Sequence, residues 1–388
     1  MPFEDDAVVS LWLEADAKFG FRPSKDLFYD VVMDLSRRNT FHPVRDYLNK
    51  LKWDGQARID RWLIVLGKAK DTRLIRAQSA IVLIAAVRRI RQPGCKFDEL
   101  LVLISRKQGT NKSSALQALC PNDAWFSDDL PLNVDAKQII ERTCGKWIIE
   151  AAELNGFGKR ELDHLKASLS RQVDGPVRLA YGRLPVEVPR QFINIGTTNL
   201  DQFLKDKTGN RRFWPVEVQQ FDIVAIRRER DQLWAEAAHR EALGESIRLD
   251  AGLWTAAARE QEARQIDDPW GLILREFLCL DPPEQGGMLD EMYADVLKEW
   301  KGPKDRLLLR DIWLALGIEP TRQDERSAER INAVMQALGY EKKQARGLKN
   351  DMGGWLSPED AQSAKRWCRI EEPDDSDPIG ARDEEPPF

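Results

Sequence analysis

The sequence of 388 residues predicts an α/β core flanked by helical segments and followed by a smaller C-terminal domain. Three observations support this prediction. Residues 96–218 alternate between strand-like and helix-like segments, as layered α/β domains do. Residues 1–95 and 219–266 have mostly helical patterns of apolar residues. Asp267 and Asp268 precede Pro269, and residues before proline leave the helical conformation, so a domain boundary is expected there.

The N-terminal helices are predicted first. An apolar stripe over residues 27–35 and the segment after Pro43 both have helical spacing, and the chain turns at Asp54 and Gly55. Residues 72–91 form a long predicted helix that ends before Pro93. Its longest apolar run, residues 80–87, is flanked by arginines, which favours a core helix over a membrane span.

Composition excludes several classes of protein. The N-terminus lacks the basic and apolar segments of a secretory signal, and no contact with a membrane is expected. The cysteines are scattered, which favours a reducing cytoplasmic location over disulfides or a zinc site: Cys95, Cys120, Cys144, Cys279 and Cys368. The histidines are far apart: His42, His164 and His239. A histidine metal triad is therefore not expected.

The chain has a net charge of −5, and its excess of acidic residues lies at the C-terminus. Residues 371–388 contain eight acidic residues and one arginine, and this tail is predicted to be disordered. The rest of the chain consequently carries a small net positive charge. Local basic clusters in it are compatible with DNA binding.

Residues 100–118 contain the most informative motif. An apolar run at 100–104 predicts a buried strand, a polar loop follows, and Lys112 begins a predicted helix. This is the arrangement of a phosphate-binding P-loop, in which backbone N–H groups and the helix dipole hold phosphate oxygens. Lys112 would reach the β- and γ-phosphates of ATP, and Ser113 would hold Mg²⁺. The expected cofactor-binding residues are Gln108, Gly109, Thr110, Asn111, Lys112, Ser113 and Ser114.

The loop departs from the usual P-loop pattern at two positions. The two expected glycines fall at Arg106 and Asn111, and Gly109 remains inside the loop. Asparagine tolerates a positive φ better than most residues, so Asn111 is a plausible replacement. Arg106 has no such explanation. On this loop alone, a plain strand–turn–helix is an equal interpretation.

Two acidic residues follow in the next strand-like segment, residues 145–153. NTPases place an acid at such a strand end to hold Mg²⁺ and orient water. We favour Glu153 as this strand-end acid and metal residue. Glu150 is either a second ligand or a buried structural acid, and a strand with an ordinary surface glutamate is the alternative.

A third strand and an arginine pair complete the pattern. Residues 190–199 predict an apolar strand that ends in Asn199, where a polar side chain can position the hydrolytic water. A strand capped by an Asx turn is the alternative. Arg211 and Arg212 then precede an aromatic strand. They are either arginine fingers that act on a neighbouring subunit's nucleotide or part of a solvated turn.

Taken in order, these segments resemble the virulence-associated protein E family, whose ATPase belongs with the superfamily 3 helicases of viruses, phages and plasmids. The resemblance covers about residues 40–240 and rests on six blocks: residues 41–55, 92–116, 125–130, 145–154, 169–191 and 196–216. It implies an α/β P-loop (AAA+-like) ATPase core. The catalytic residues that it implies are Lys112, Glu150 or Glu153, Asn199, Arg211 and Arg212.

The same resemblance implies a DNA-gripping hairpin between the acid strand and the Asn199 strand. Helicases of this superfamily project such a hairpin into a central channel. Here it would carry Lys166, Arg178, Tyr181 and Arg183. Cations can track phosphates and a tyrosine can stack on a base. A surface hairpin with solvated arginines is the alternative.

The C-terminal domain has the pattern of a winged helix. Two predicted helices, residues 307–317 and 327–338, precede a predicted hairpin at residues 340–356 that turns near Gly353. The hairpin would bring Lys342, Lys343 and Arg346 to DNA. A protein-docking winged helix is an equal alternative, because acidic residues dilute the charge of the second helix.

The expected organisation is a helical N-terminal collar region at 1–95, the ATPase domain at 96–266, a winged-helix-like domain at 267–370 and the acidic tail at 371–388. The leading hypothesis is an ATP-dependent DNA helicase or replication initiator of a phage, plasmid or genomic island. It would act as a homo-oligomeric ring, expected to be a hexamer, with single-stranded DNA in its channel and origin duplex on the winged helix. A primase would be a separate chain. The alternative is a regulatory ATP-binding switch without unwinding activity.

Overall fold

The computed structural model describes residues 5–154, 157–178, 184–204, 209–266, 268–279, 306–344 and 365–369. The chain divides into two compact units, Met1–Ile266 and Asp267–Phe388. The division falls at the aspartate pair before Pro269. None of the helices in the described ranges is long and apolar enough to cross a membrane.

The first unit begins with a run of helices, which are α1 (Asp5–Phe19), α2 (Lys25–Arg38), α3 (Pro43–Lys50), α4 (Trp62–Gly67) and α5 (Arg73–Arg91). Local signals fix several of the starts. The Ser24 hydroxyl accepts a hydrogen bond from Leu27 N at the start of α2. Thr72 does the same for Ile75 N at the start of α5, which satisfies an N–H group that has no partner inside the helix.

The remaining elements of this unit alternate between strand and helix. The strands are β1 (Leu100–Ile104), β2 (Phe126–Ser127), β3 (Ile148–Ala151), β4 (Val173–Val177), β5 (Val186–Pro189), β6 (Ile193–Thr198) and β7 (Phe213–Glu217). The helices are α6 (Lys112–Leu119), α7 (Ala136–Thr143), α8 (Lys159–Leu169), α9 (Ile223–Ala242) and α10 (Trp254–Ala263).

Five of these strands form one parallel sheet in the order β2-β3-β6-β1-β7. Strand β6 thus lies between β1 and β3, although it follows both of them in the chain. Strands β4 and β5 pair with each other as a separate antiparallel hairpin. The central position of β1 explains its uninterrupted apolar sequence, because every residue in it is buried.

Helices cover both faces of the sheet, and β1 shows the division. Leu101 and Leu103 pack into one core with α3, α4, α5, α6 and α9. Leu100, Val102 and Ile104 face the other core, which includes α8. This alternation is the two-residue period of a strand, with an apolar residue at every position because both faces are covered.

Helices α3 to α5 therefore share a hydrophobic core with the sheet. Trp147, at the start of β3, stacks on Trp234 of α9 with 4.1 Å between ring centroids, and its indole N–H donates to the Ala86 carbonyl of α5. The segment from Val44 to Ile90 belongs to the same core. Residues on both sides of the expected boundary between 95 and 96 thus contribute to one hydrophobic core.

The second unit has its own small core. Helix α11 (Pro269–Cys279) precedes β8 (Arg306–Leu308), α12 (Leu309–Ala315), α13 (Glu325–Ala337), β9 (Tyr340–Gln344) and β10 (Lys365–Arg369). The strands form an antiparallel sheet in the order β8-β10-β9. Phe277, Ile312, Ile331 and Met335 are fully buried between the helices. The strand that pairs with β9 begins at Lys365, so the predicted hairpin end at residue 356 is wrong.

Candidate functional site

Several polar residues meet at the carboxyl-terminal edge of the parallel sheet. The loop between β1 and α6 lies there, Glu150 lies in β3, and Thr197 and Asn199 lie at the end of β6. These three strands are neighbours, so residues that are 37 to 87 positions apart in sequence are brought into contact. Open α/β sheets bind ligands at this edge.

The loop adopts its turn through two residues with positive φ. Gly109 has φ 73°, and Asn111, the N-cap of α6, has φ 62° and ψ 29°. Asn111 thus takes the left-handed conformation at the position where a glycine is expected. Helix α6 begins directly after it, and the first N–H groups of a helix have no acceptor within the helix. The loop therefore delivers a helix N-terminus to the edge of the sheet.

Lys112 connects this loop to the neighbouring strand. Its ammonium Nζ donates to Asn199 Oδ1 at 2.7 Å and to Thr110 Oγ1 at 3.3 Å. Partial burial lowers the pKa of Lys112 below its usual range, although the Glu150 carboxylate acts in the opposite direction. A bound polyphosphate would supply the negative charge that this half-buried cation lacks.

Glu150 is the buried acid of the site. Its side chain is fully buried, and Oε1 accepts hydrogen bonds from Ser113 Oγ at 2.7 Å and from Thr197 Oγ1 at 2.6 Å. Its other oxygen, Oε2, is buried without a hydrogen-bond partner in the described residues. A carboxylate oxygen that lacks a partner is costly to bury, and a cation or water that occupied this position would satisfy it.

Thr197 is a site residue that sequence reasoning missed. It lies one residue before the end of β6, and its hydroxyl is buried against Glu150. Two features of the sequence could have indicated Thr197. It lies in the Thr-Thr-Asn segment at the strand end, and successive side chains of a strand point to opposite faces, so the two threonines have different neighbours. Thr198, the next residue, instead caps the turn by accepting from Leu200 N.

Glu153, the acid favoured from sequence, lies elsewhere. It follows β3, is exposed and has φ 50°, an uncommon backbone conformation for a residue other than glycine. Within the described residues it forms no hydrogen bond or ion pair. The contact with Ser113 is made by Glu150 and not by Glu153.

Arg106, the unexplained loop residue, points to the segment that follows β6 at the same end of the sheet. Its guanidinium forms an ion pair with Asp201, and Asp201 also receives Arg264 at 3.3 Å. Arg106 is 74% exposed, so solvent screens this pair. The arginine thus ties the loop to the segment that carries Asn199 and does not fill the loop's interior.

Arg211 and Arg212 lie at the opposite edge of the sheet. They occupy a short 3-10 turn directly before β7, and Phe213 of β7 pairs with Leu100 at the start of β1. The loop with Lys112 follows the other end of β1, about 13 Å away along the strand. Both arginines are therefore separated from the site of their own chain by the length of the sheet.

The two arginines have different surroundings. Arg212 is half-buried, and its Nη2 donates to Ser170 Oγ at 3.0 Å. Arg211 is exposed and forms no ion pair in the described part of the chain. Arg211 is thus the one that faces solvent.

The residues that the sequence predicts to contact DNA differ in their exposure to solvent. Lys166 lies within α8 and is 8% exposed, with its side chain against Gly209, which is a poor position for a phosphate contact. Arg178 is exposed directly after β4. Tyr181 and Arg183 lie outside the described residues. The hairpin base is fixed by Arg190, which forms a buried bidentate pair with Asp174 at 2.7 Å.

In the second unit, Lys342 and Lys343 lie in β9, and Arg346 lies outside the described residues. The order strand, helix, helix, strand, strand is observed, and α13 starts with Asp324 capping Ser327 N at 2.7 Å. Helices are therefore present near both predicted positions, and the strand that pairs with β9 lies outside the predicted hairpin.

The donor set at the sheet edge fits Mg²⁺. The Ser113 hydroxyl and the Glu150 carboxylate are hard oxygen ligands that meet at one point, and Glu150 Oε2 lacks a partner. The described residues contain no cluster of three or more histidine, cysteine or acidic side chains. Mg²⁺ in nucleotide sites takes one or two carboxylates and completes its shell with water and phosphates.

This α/β protein thus brings a helix N-terminus, a lysine, a hydroxyl and a buried acid together at the carboxyl edge of its parallel sheet. The sequence model of the virulence-associated protein E-like domain matches residues 48–266, which is more than half of the chain. This protein belongs to that family. The match ends at Ile266, where the first unit ends.

Solved structures give a weaker comparison. The apo structure of the NrS-1 C-terminal region (305–718) aligns with a TM-score of 0.48 and 12% identity, over 84% of this chain and 78% of that chain. Its A form aligns over the same shares with a TM-score of 0.40 and 12% identity. These scores carry no functional argument. A search of curated proteins found no match.

Proposed function

We propose that this protein is an ATP-dependent DNA helicase or replication initiator of a phage, plasmid or genomic island. The observation that carries the proposal is the bonded set of Lys112–Asn199 and Ser113–Glu150–Thr197 at one edge of the sheet. Family membership supports a role in the replication of a mobile element. ATP is the proposed substrate, with Mg²⁺ as its metal.

Each residue has a proposed task in ATP hydrolysis. The N–H groups of residues 109–113 bind phosphate oxygens at the start of α6, and Lys112 contacts the β- and γ-phosphates. Ser113 and Glu150 would hold Mg²⁺, which when bound would neutralise part of the phosphate charge. Asn199 is bonded to Lys112 and orients the attacking water.

Glu153 is proposed to take the proton of that water. It is exposed just beyond the strand that holds Glu150, and its left-handed backbone is a strained conformation of the kind that occurs at functional positions. The two acids of the segment would then have separate tasks. The buried one binds metal, and the exposed one acts on water.

The arginine position supports an oligomer. Since Arg211 lies at the opposite edge from Lys112 of the same chain, it can reach a nucleotide only in a second copy. A ring, expected to be a hexamer, repeats that contact at every interface by closed rotational symmetry. Arg211 would stabilise the negative charge that develops on the transferred phosphoryl group. Arg212 is retained within its own chain by Ser170.

DNA is the proposed partner of the hairpin and of the second unit. The β4–β5 hairpin bears the exposed Arg178 and is proposed to contact single-stranded DNA inside the ring. The second unit is proposed to be a winged helix whose basic strand β9 contacts origin duplex. A primase, if the system uses one, is proposed to be a separate chain.

Two assays test the proposal. The purified protein should hydrolyse ATP with Mg²⁺, single-stranded DNA should stimulate the rate, and Lys112→Ala should reduce it by about 10²- to 10³-fold. Forked duplex should be unwound only when ATP is present. ATP binding without hydrolysis would contradict the motor and support the regulatory switch. Absence of ATP binding would contradict both.

A further inference from the structure

A cleft of about 740 Å³ lies beside α8, outside the proposed ATP site. One wall is formed by α8 and the residue pair that follows it. The other wall is formed by residues 131–139. The side chains that determine its chemistry are Pro131, Leu132, Val134, Arg160, His164 and Arg171.

The basic side chains form one line. Arg160 and His164 are four residues apart, and Ala167 and Ser168 continue the same face of α8 before Arg171. The two arginines are eleven positions apart, with Arg171 two residues beyond the end of α8, and this spacing corresponds to about 16 Å at the rise of a helix. A line of this length spans more than one phosphate of a nucleic-acid strand.

These cations lack carboxylate partners. Arg160 and Arg171 are exposed and form no ion pair in the described residues. Other arginines of the same unit are paired, for example Arg190 with Asp174 and Arg264 with Asp201. The one acidic residue in the cleft lining, Glu161, accepts a hydrogen bond from Gly158 N and caps α8. Asp163 lies on α8 but not in this lining.

The opposite wall is mainly apolar. Pro131, Leu132 and Val134 are apolar, Asn133 between them is polar but uncharged, and Ile139 is buried. A groove with cations on one wall and an apolar surface on the other matches a single strand, which exposes phosphates along one side and unstacked bases along the other. A duplex has its bases inside and cannot present both surfaces in this way.

The cleft adjoins the base of the hairpin. Ser168, in its lining, uses its carbonyl to accept from Arg190 Nη1 at 2.7 Å, and Arg190 forms the buried pair with Asp174 of β4. Arg171 lies two residues before β4. A strand leaving the hairpin would therefore meet the line of cations directly.

We infer that this cleft binds the phosphate backbone of single-stranded DNA and extends the path of the strand beyond the hairpin. The inference rests on the proposed DNA function but not on ATP hydrolysis. Arg160 and Arg171 contact phosphates, and His164 donates a hydrogen bond between them. The apolar wall packs against sugars and bases without reading their sequence.

The test measures binding of a labelled oligo(dT) to the full-length protein at several salt concentrations. In single strands, the slope of log affinity against log salt falls by about 0.7 for each lost phosphate contact. The Arg160→Gln and Arg171→Gln double variant should bind more weakly, with a slope smaller by about 1.4. Arg227→Gln with Arg248→Gln is the matched control, because it changes charge equally at exposed arginines outside the cleft. Thermal unfolding of each variant establishes that it is folded.

The outcomes separate the two proposals. A smaller slope of log affinity against log salt in the cleft variant, with an unchanged slope in the control, supports binding of single-stranded DNA in the cleft. Equal loss in both variants would show a general charge effect and overturn the inference. A wild-type slope in the folded cleft variant would also overturn it, as would an equal loss for duplex of the same length. Failure of wild-type protein to bind oligo(dT) at all would instead contradict the proposed DNA function.

Discussion

The two edges of the parallel sheet differ in the contacts that their polar side chains form within the chain. At the carboxyl edge, Lys112, Ser113, Glu150 and Asn199 are held by hydrogen bonds within one chain. At the amino edge, Arg211 is exposed before β7 without an ionic partner in the described residues. In the proposed function, the carboxyl edge binds and positions the nucleotide, and the amino edge supplies a positive charge to the nucleotide of a second copy.

This difference suggests that each chain carries two halves of a site. The parallel register places the halves at opposite ends of β1 and β7, so no side-chain rotation joins them within a chain. In the proposed ring, a second copy would bring its amino edge to the carboxyl edge of the first. Substitutions at the two edges should therefore have different signatures.

The largest effect is expected at the amino edge. Arg211→Ala should reduce the rate of ATP hydrolysis by about 10³-fold or more, since arginine fingers contribute that much, and should leave ATP binding nearly unchanged. Arg259→Ala, at an exposed arginine of the neighbouring helix α10, is the control and should keep the rate. Equal ATPase rates for Arg211→Ala and wild type would show that the amino edge takes no part.

The next effect separates the two acids of the carboxyl edge. Glu150→Gln should weaken Mg²⁺-dependent ATP binding and activity by about 10- to 100-fold. The amide oxygen can still accept from Ser113 and Thr197, but the neutral amide lacks the negative charge with which the carboxylate would hold Mg²⁺. Glu153→Gln should lower turnover and leave Mg²⁺-dependent binding intact. Calorimetry of ATP analogue binding with and without Mg²⁺ measures the Mg²⁺-dependent affinity of each variant. Intact binding in Glu150→Gln together with weakened binding in Glu153→Gln would mean that Glu153 holds the metal.

A smaller effect is expected at Asn111. A left-handed residue costs about 1–2 kcal/mol for an ordinary side chain, so Asn111→Ala should lower thermal stability and weaken ATP binding. Asn111→Gly should retain both, because glycine adopts φ 62° freely. If the alanine variant equals the glycine variant, the backbone conformation is not what this position requires.

The smallest effect is expected at Arg106. An exposed ion pair contributes about 0–1 kcal/mol, so Arg106→Ala should change the free energy of unfolding and the ATPase rate only slightly. Chemical denaturation and steady-state rates test this. A large loss of ATP affinity would mean that Arg106 leaves Asp201 to contact phosphate.

Local features of the site could be predicted from sequence. The strand 100–104, the loop and the start of α6 are contiguous, so their pattern is visible in one segment, and the tolerance of Asn111 for a positive φ follows from its chemistry. The division of the chain at the aspartates before Pro269 is local in the same way.

The remaining features depend on contacts between distant segments. Which acid faces Ser113 is set by the register of β3 beside β6, which sequence spacing does not reveal. The burial of Lys166 results from the turn at Gly209 packing against α8, and the shared core of α3 to α5 results from helix–sheet packing. The strand that begins at Lys365 pairs with β9, although a long stretch of sequence separates the two. The glycine at 353 is nearer to β9 in sequence and therefore led to a wrong prediction of where the hairpin ends.

The claim that the site spans two copies is tested most directly by mixing two inactive variants. Lys112→Ala keeps Arg211, and Arg211→Ala keeps Lys112, so a mixed interface can combine an intact carboxyl edge with an intact amino edge. If the site spans two copies, each variant alone should lack ATPase activity, and the mixture should regain a clear fraction of the wild-type rate. A mixture that assembles but is no more active than the separate variants would contradict it.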